Sequence, residues 1–326
     1  MRVLVTGATG FTGGHLARTL ARLGYAVRAL ARQASQARDL EASGLEPAIG
    51  TLEDRASLAR AVRDVEVVYH IAAVYRQAGI STATYRAVNA AAVGDLIDAA
   101  AAAGVRRVVH CSTVGVHGDI EHPPANEDAP LRPGDIYQVT KVEGERAARD
   151  ASARTGMPVT IARPSGIYGP GDRRLLKLFR GVARRRFVVL GSGNIFYHLT
   201  YIDDLVEGLR LCGEMASAAN RTYILAGGEV TTLNELMALI AAEAGVAPPA
   251  LKLPVWPFWI AGAACEAVCV PLRIEPPIYR RRVDFFTKSR AFDISRARAE
   301  IGYAPQTGLR EGIRQTLAWY KERGWL

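Results

Sequence analysis

Thr6-Gly7-Ala8-Thr9-Gly10-Phe11-Thr12-Gly13 follows directly on an apolar run at residues 2–6 and leads into a helical pattern at 15–23 that Gly24 closes. The three glycines are spaced G-x-x-G-x-x-G. Glycine suits such a turn because the chain must reverse tightly, bring backbone amides against a pyrophosphate and seat the helix on the sheet. A glycine triplet alone says little, but at the first strand–helix junction of a βαβ unit it predicts dinucleotide contacts from Gly7, Thr9, Gly10, Phe11, Thr12 and Gly13. The apolar run 26–31 completes that unit. Further runs at 65–73, 107–112 and 159–163 alternate with alanine-rich helical stretches such as 90–103, the pattern of a parallel sheet covered on both faces. The expected fold class is α/β, a Rossmann-type doubly wound sheet at residues 1–165 with returns near 197–210 and 222–226. The remainder of 166–326, where prolines, aromatic residues and basic clusters break the alternation, is expected to form a smaller, discontinuous substrate-binding domain.

The chain has 326 residues, 49% of them hydrophobic and 22% charged, enough to bury a sizeable core in one or two domains. Its four cysteines, at 111, 212, 265 and 269, match neither a disulfide framework nor a metal-ligand spacing, so a reducing, cytoplasmic setting and no metal are expected. The formal charge of +9 comes from 41 basic residues, of which 36 are arginine. No nucleic-acid motif accompanies them, and no nucleic-acid partner is expected. Gly7 and Gly10 interrupt the N-terminal apolar run before a leader-type core forms. Residues 253–272 carry one charge, Glu266, but Pro254, Pro257 and Pro271 leave only a helix-length core at about 258–270, which suits a buried or interfacial helix rather than a span.

Where a carboxylate for an NAD ribose is expected, at the end of the second strand, the chain has Ala31 followed by Arg32. With no acid to repel a 2′-phosphate and Arg32 to pair with it, and Arg28 as a second candidate, NADP is expected in preference to NAD. Tyr137 and Lys141 lie four residues apart and share a helix face. A phenol with a pKa of about 10 is a poor base at neutral pH, and a nearby ammonium favours its phenolate. That pair can exchange a proton with a hydroxyl or carbonyl while hydride moves to or from a nicotinamide.

Together these residues resemble the extended short-chain dehydrogenase/reductase family, which includes sugar-nucleotide epimerases and dehydratases, dihydroflavonol-type reductases and 3β-hydroxysteroid dehydrogenases. The resemblance spans almost the whole chain. It is carried by residues 6–13, His70-Ile-Ala-Ala73, Asn89, His110-Cys-Ser-Thr-Val-Gly-Val-His-Gly118, Tyr137 and Lys141. It continues with Arg163-Pro-Ser-Gly-Ile-Tyr-Gly-Pro-Gly-Asp172, Tyr201-Ile-Asp-Asp204, Phe292-Asp-Ile-Ser-Arg-Ala297 and Ile301-Gly-Tyr303. It implies catalytic roles for Tyr137, Lys141 and a hydroxyl at Thr113, with Ser112 as neighbour, although either hydroxyl could instead cap the strand end. It further implies cofactor contacts from Thr51, Leu52, Ala72, Ala73, Asn89, Lys141, Pro164, Ser165 and Gly166. For Asn89, support of the active-site elements and a plain helix N-cap are equal readings.

Two departures separate branches of the family. Its sugar-nucleotide members usually place Asn after the Arg-Pro dipeptide and Arg on a later strand to grip the diphosphate; this chain has Ser165 and His198. A neutral imidazole does not replace a bidentate guanidinium on phosphate, though Arg290 or Arg280 to Arg282 could compensate. Residues 254–260, Tyr279, Phe285 and Phe286 supply an apolar, aromatic alternative suited to a small hydrophobic alcohol or ketone of sterol, flavonol or terpenoid type. The other reading of these aromatics is the small domain's own core. A nucleotide-sugar epimerase or dehydratase is the alternative function. Arg173, Lys177, Arg180 and Arg184, opposite Leu175, Leu178, Phe179 and Val182, make a basic amphipathic helix, either a solvated face or a peripheral contact with anionic lipid. By resemblance, two copies are expected to pair through helices like the one bearing Tyr137.

Overall fold

The computed structural model describes residues 1–77, 79–269, 272 and 280–326. Strands β1 (Arg2–Thr6), β2 (Ala26–Ala31), β3 (Glu46–Ile49), β4 (Val67–His70), β5 (Arg107–Cys111) and β6 (Val159–Pro164) lie parallel. After β7 (Gly166–Tyr168), β8 (Val189–Leu190) and β9 (Phe196–Tyr201), strand β10 (Thr222–Leu225) joins β6 to complete a seven-stranded sheet ordered β10-β6-β5-β4-β1-β2-β3. Crossover helices include α1 (Phe11–Arg22), α2 (Ala34–Ala42) and α3 (Arg55–Ala61). Continuous burial of β4, β5 and β6 reflects cover on both faces, with separate apolar clusters on the two sides.

The segment 82–102 is not one helix. It runs as α4 (Thr82–Arg86), a π-turn at Ala87–Ala91 and α5 (Ala92–Ala102). The π-turn carries Asn89 inward, so Asn89 is not a helix N-cap. Helix α6 (Ile136–Thr155) begins where Asp135 accepts from the Gln138 amide at 2.9 Å and ends at Gly156, whose φ of 74° is left-handed.

The strand at the start of the return expected near 197–210 does not rejoin the main sheet. It is β9, and it pairs with β7 and with β11 (Val230–Thr232) in a separate three-stranded sheet. Only the helix that follows, α8 (Ile202–Glu214), returns to pack on β4, β5 and β6. Helix α7 (Leu176–Ala183) turns Leu178, Phe179 and Val182 into the core and leaves Lys177 exposed. Arg180 donates to the Trp325 carbonyl at 2.6 Å, and Arg173 lies over the Trp325 ring. The apolar side of this basic helix is therefore already covered.

Past α9 (Leu233–Ala244) and β12 (Lys252–Leu253), helix α10 (Trp256–Cys269) is different. Trp256, Trp259, Ile260 and Val268 are 50–66% exposed. Among the described residues no helix is long and apolar enough to cross a membrane. Helix α11 (Arg280–Thr287) packs beside α10. Tyr279 and the side chains of Arg280 to Arg282 lie outside what is described.

Candidate active site

A cleft of about 850 Å³ runs along the C-terminal ends of β1, β4, β5 and β6. Its floor is the glycine turn. Gly7 has φ +75°, and a Cβ there would lie 2.8 Å from the Ala72 amide; at Gly13 a Cβ would meet the Gly7 carbonyl at 2.3 Å. Both positions are closed to any side chain, so the β1–α1 turn can press against the loop after β4. Helix α1 starts at Gly10 with no side-chain cap and no acid in its first turn. That leaves its leading amides for an anion, and the cradle fits a dinucleotide pyrophosphate.

The other wall of the adenosine end carries Leu30, Leu52 and Arg32. Arg32 is exposed, with its backbone amide held by Gln36. Arg28 is not part of this end. Its guanidinium is committed to Glu46 at 2.8 Å and to the carbonyls of Ala61 and Arg63, so it cannot serve a 2′-phosphate. Thr51 also falls outside the cleft lining, its backbone N–H and carbonyl both paired with the Ser57 hydroxyl.

At the far end, Ala72, Ala73, Ser112, Thr113, Tyr137, Lys141, Pro164, Ser165 and Gly166 converge on the same space. Lys141 is fully enclosed and donates from Nζ to the Cys111 carbonyl at 2.7 Å, which fixes α6 to the end of β5. Burial lowers its pKa. Tyr137 is also buried, and the Tyr75 ring meets it edge-on with centroids 4.9 Å apart. Burial first, then Tyr75 and Cys111, push its phenol well above the usual value, with Arg76 and Arg174 acting against them.

The two candidate hydroxyls differ in what they have left to give. Ser112 Oγ donates to Glu145 at 2.6 Å, and Glu145 is bound in a bidentate pair to buried Arg163 at 2.8 and 2.7 Å. Burial works to raise the Glu145 carboxyl, but Arg163, Ser112 and Arg149 outweigh it and hold it below its ordinary value. Thr113 Oγ1 only accepts, from the Gly115 amide at 3.1 Å. Its O–H remains free to donate into the cleft. Ser165 Oγ, on the opposite wall, is buried with no protein partner among the described residues.

Asn89 does not line the cleft. Its amide accepts from the Val74 N–H at 2.8 Å and donates to the Val74 carbonyl and to Thr140, tying the loop after β4 to α6. Behind Lys141, His70 and His110 lie 5.4 Å apart, and His70 Nδ1 is bound to Thr6 at 2.8 Å.

The substrate side is walled by Ile167, Leu175, Tyr197, Leu199, Phe285 and Phe292. His198 is locked on backbone: Nε2 donates to the Gly227 carbonyl at 2.8 Å and Nδ1 accepts from the Phe292 amide at 3.2 Å. Burial lowers its pKa, so it is a neutral tautomer with nothing left for a phosphate. Arg290 lies over the Tyr197 ring and donates to the carbonyls of Lys288 and Asp284.

Tyr75, Arg76 and Arg174 are among the wall residues that the sequence does not point to. The available signal was position. Tyr75 and Arg76 follow His70-Ile-Ala-Ala73 in the loop after a strand's C-terminal end, where open α/β sheets bind ligands.

Residues 3–226 match the NAD dependent epimerase/dehydratase family. The chain is 31% identical over 333 residues to a 2-alkyl-3-oxoalkanoate reductase of Stenotrophomonas maltophilia, covering 98% of this chain and 99% of that one. It is 29% identical to 3beta-hydroxysteroid-dehydrogenase/decarboxylase isoform 2 of Arabidopsis thaliana, covering 96% of this chain but only 61% of that protein. The solved structure of gox2253 superposes with a TM-score of 0.85 at 29% identity, covering 99% of both chains. The glycine cradle, the Tyr137–Lys141 face and these likenesses lead to one assignment: the chain belongs to the NAD dependent epimerase/dehydratase family and is an oxidoreductase of the extended short-chain dehydrogenase/reductase type.

Proposed function

We propose that this enzyme is an NADP-dependent oxidoreductase that interconverts a hydrophobic secondary alcohol and its ketone. The observation that carries the reading is the contrast at the substrate end: proton-handling groups Tyr137 and Thr113 face an apolar wall, where His198 is spent on backbone. The similarity to a protein named an oxoalkanoate reductase and to one named a hydroxysteroid dehydrogenase supports the same class.

Residues 7–13 would hold the pyrophosphate, Lys141 the nicotinamide ribose, and the backbone at 164–166 the carboxamide. When bound, the cofactor supplies or accepts the hydride. Thr113 would donate a hydrogen bond from its free hydroxyl to the substrate oxygen. Tyr137, held as a phenol by burial, would transfer its proton to the carbonyl oxygen in reduction, and in oxidation its phenolate form would take that proton from the substrate hydroxyl. Lys141 Nζ, anchored on Cys111, keeps two further protons for hydrogen bonds. Arg32, beside neutral Ala31, favours a 2′-phosphate.

The sugar-nucleotide members of the family usually place an arginine for the diphosphate where this chain has His198, and His198 is held on backbone instead. The discriminating assay offers NADPH or NADP⁺ with apolar alcohols, ketones and UDP-sugars, following reduced-nicotinamide absorbance and sugar interconversion together. Net turnover with an apolar substrate, abolished by Tyr137→Phe, is expected. Sugar inversion without net turnover, or an unimpaired Tyr137→Phe enzyme, would overturn the reading. Peripheral lipid contact belongs to the same proposal, now through the exposed apolar face of α10 rather than through α7. Failure to pellet with anionic vesicles at moderate salt would exclude it.

A further inference from the structure

We infer that Ser112 is a positioning residue that acts through Thr113: Glu145, locked by Arg163, takes its proton and so fixes where the Thr113 hydroxyl stands relative to Tyr137. The inference rests on the roles proposed above for Thr113 and Tyr137. Tyr137, Lys141 and Glu145 follow one another at four-residue intervals on α6, and all three are buried. That spacing puts them on one face of the helix. The second and third each pin the end of β5. Lys141 Nζ donates to the Cys111 carbonyl at 2.7 Å, and Glu145 accepts from Ser112 Oγ at 2.6 Å. From the other side the Ser112 amide donates to the Ala162 carbonyl of β6 at 2.7 Å. Residues 111 and 112 are thus held at three points immediately before Thr113.

Thr113 itself is extended, with φ −164° and ψ 147°. Neighbouring side chains on an extended chain point to opposite sides, so holding Ser112 against Glu145 turns Thr113 the other way. The Thr113 hydroxyl and the Tyr137 phenol must meet one substrate oxygen. Both are registered on the same helix: Tyr137 belongs to it, and Thr113 is tied to it through Lys141 and Glu145.

The pair behind Ser112 is suited to hold a fixed geometry. Glu145 is fully enclosed and accepts from Arg163 Nε at 2.8 Å, from Arg163 Nη2 at 2.7 Å and from Arg149 at 3.1 Å. Arg163 Nη1 donates to the Glu127 carbonyl at 2.8 Å and lies 3.2 Å from His117 Nε2. Desolvating two charges offsets most of what their attraction returns, so a buried pair adds little stability over an apolar filling. What it adds here is a carboxylate that cannot turn. Neither Glu145 nor Arg163 lines the cleft, so their influence on the reaction passes through the end of β5.

The test is a double-mutant cycle of Ser112→Ala and Thr113→Ala, assayed by NADPH oxidation with the apolar ketone of the panel above that wild type reduces fastest. Ser112→Ala leaves Glu145 its Arg163 and Arg149 partners. A displacement of about 1 Å at a reacting group can cost about a hundredfold in rate, so kcat is expected to fall at least about tenfold. The KM for NADPH should stay within about twofold, because the cofactor contacts are untouched. In the Thr113→Ala background the same change should cost less than about twofold, since nothing is left for Ser112 to position. Ser112→Thr, which keeps the hydroxyl, should recover most of kcat. A Ser112→Ala enzyme with wild-type kcat, or a loss equally large with and without Thr113, overturns the inference while leaving the alcohol–ketone reading intact. Wild-type kcat in Thr113→Ala removes Thr113 from the proposed chemistry and this inference with it. Turnover of no ketone in the panel overturns the alcohol–ketone reading and the inference together.

Discussion

The paired histidines behind Lys141 make acid sensitivity a calculable property of this fold. His70 is pushed down to about 3, first by burial and then by the Lys141 charge, and His110 is driven well below its ordinary value by burial, Lys141 and His70. Between about pH 6.5 and those depressed values the unfolded chain binds protons that the folded protein excludes, so stability falls as the pH falls. At pH 5 the loss is set almost wholly by the unfolded pKa of about 6.5, and comes to about 2 kcal/mol per histidine. For 326 residues the unfolding entropy is about 0.7 kcal/mol per kelvin, so each histidine contributes about 3 °C of Tm loss between pH 7.5 and pH 5. His110→Phe is the informative substitution, because neither ring nitrogen of His110 has a partner among the described residues and an aromatic ring is kept. Scanning calorimetry of both proteins at the two pH values should show the variant's Tm falling by about 3 °C less than wild type. An equal fall in both proteins would refute the assignment of that titration to His110.

Two further substitutions address the cofactor end. Gly13→Ala places a methyl 2.3 Å from the Gly7 carbonyl, which must displace α1 from the turn; a destabilisation of about 1–3 kcal/mol is expected by thermal unfolding, together with weaker NADPH binding by fluorescence titration. Arg32→Ala should raise the KM for NADPH by about tenfold and leave that for NADH within about twofold, measured with one substrate under both cofactors. Equal effects on the two cofactors would remove Arg32 from the 2′-phosphate.

What could be seen in the sequence follows how local each determinant is. The glycine turn and the Tyr137–Lys141 face were legible because a left-handed or contact-closed backbone position and an i, i+4 helical pair are fixed within a few residues. Strand β3 was not, since its four residues include Pro47, which lacks an N–H and is tolerated here because β3 lies at the sheet edge. Strand β9 has the apolar character of a central strand, and only its long-range pairing with β7 and β11 assigns it to the second sheet. The same limit governs the site. The resemblance favours Thr113 over its neighbour Ser112, but the physical reason is visible only in the fold, where the Ser112 hydroxyl donates to Glu145, 33 residues away, and the Thr113 hydroxyl is left free to donate. Arg28, the second candidate beside Arg32, is likewise removed only by the fold, where Glu46 and two carbonyls engage it. In both pairs the chemistry available to a ligand is what remains after the fold has used its own hydrogen-bonding groups, and that remainder is a property of tertiary structure.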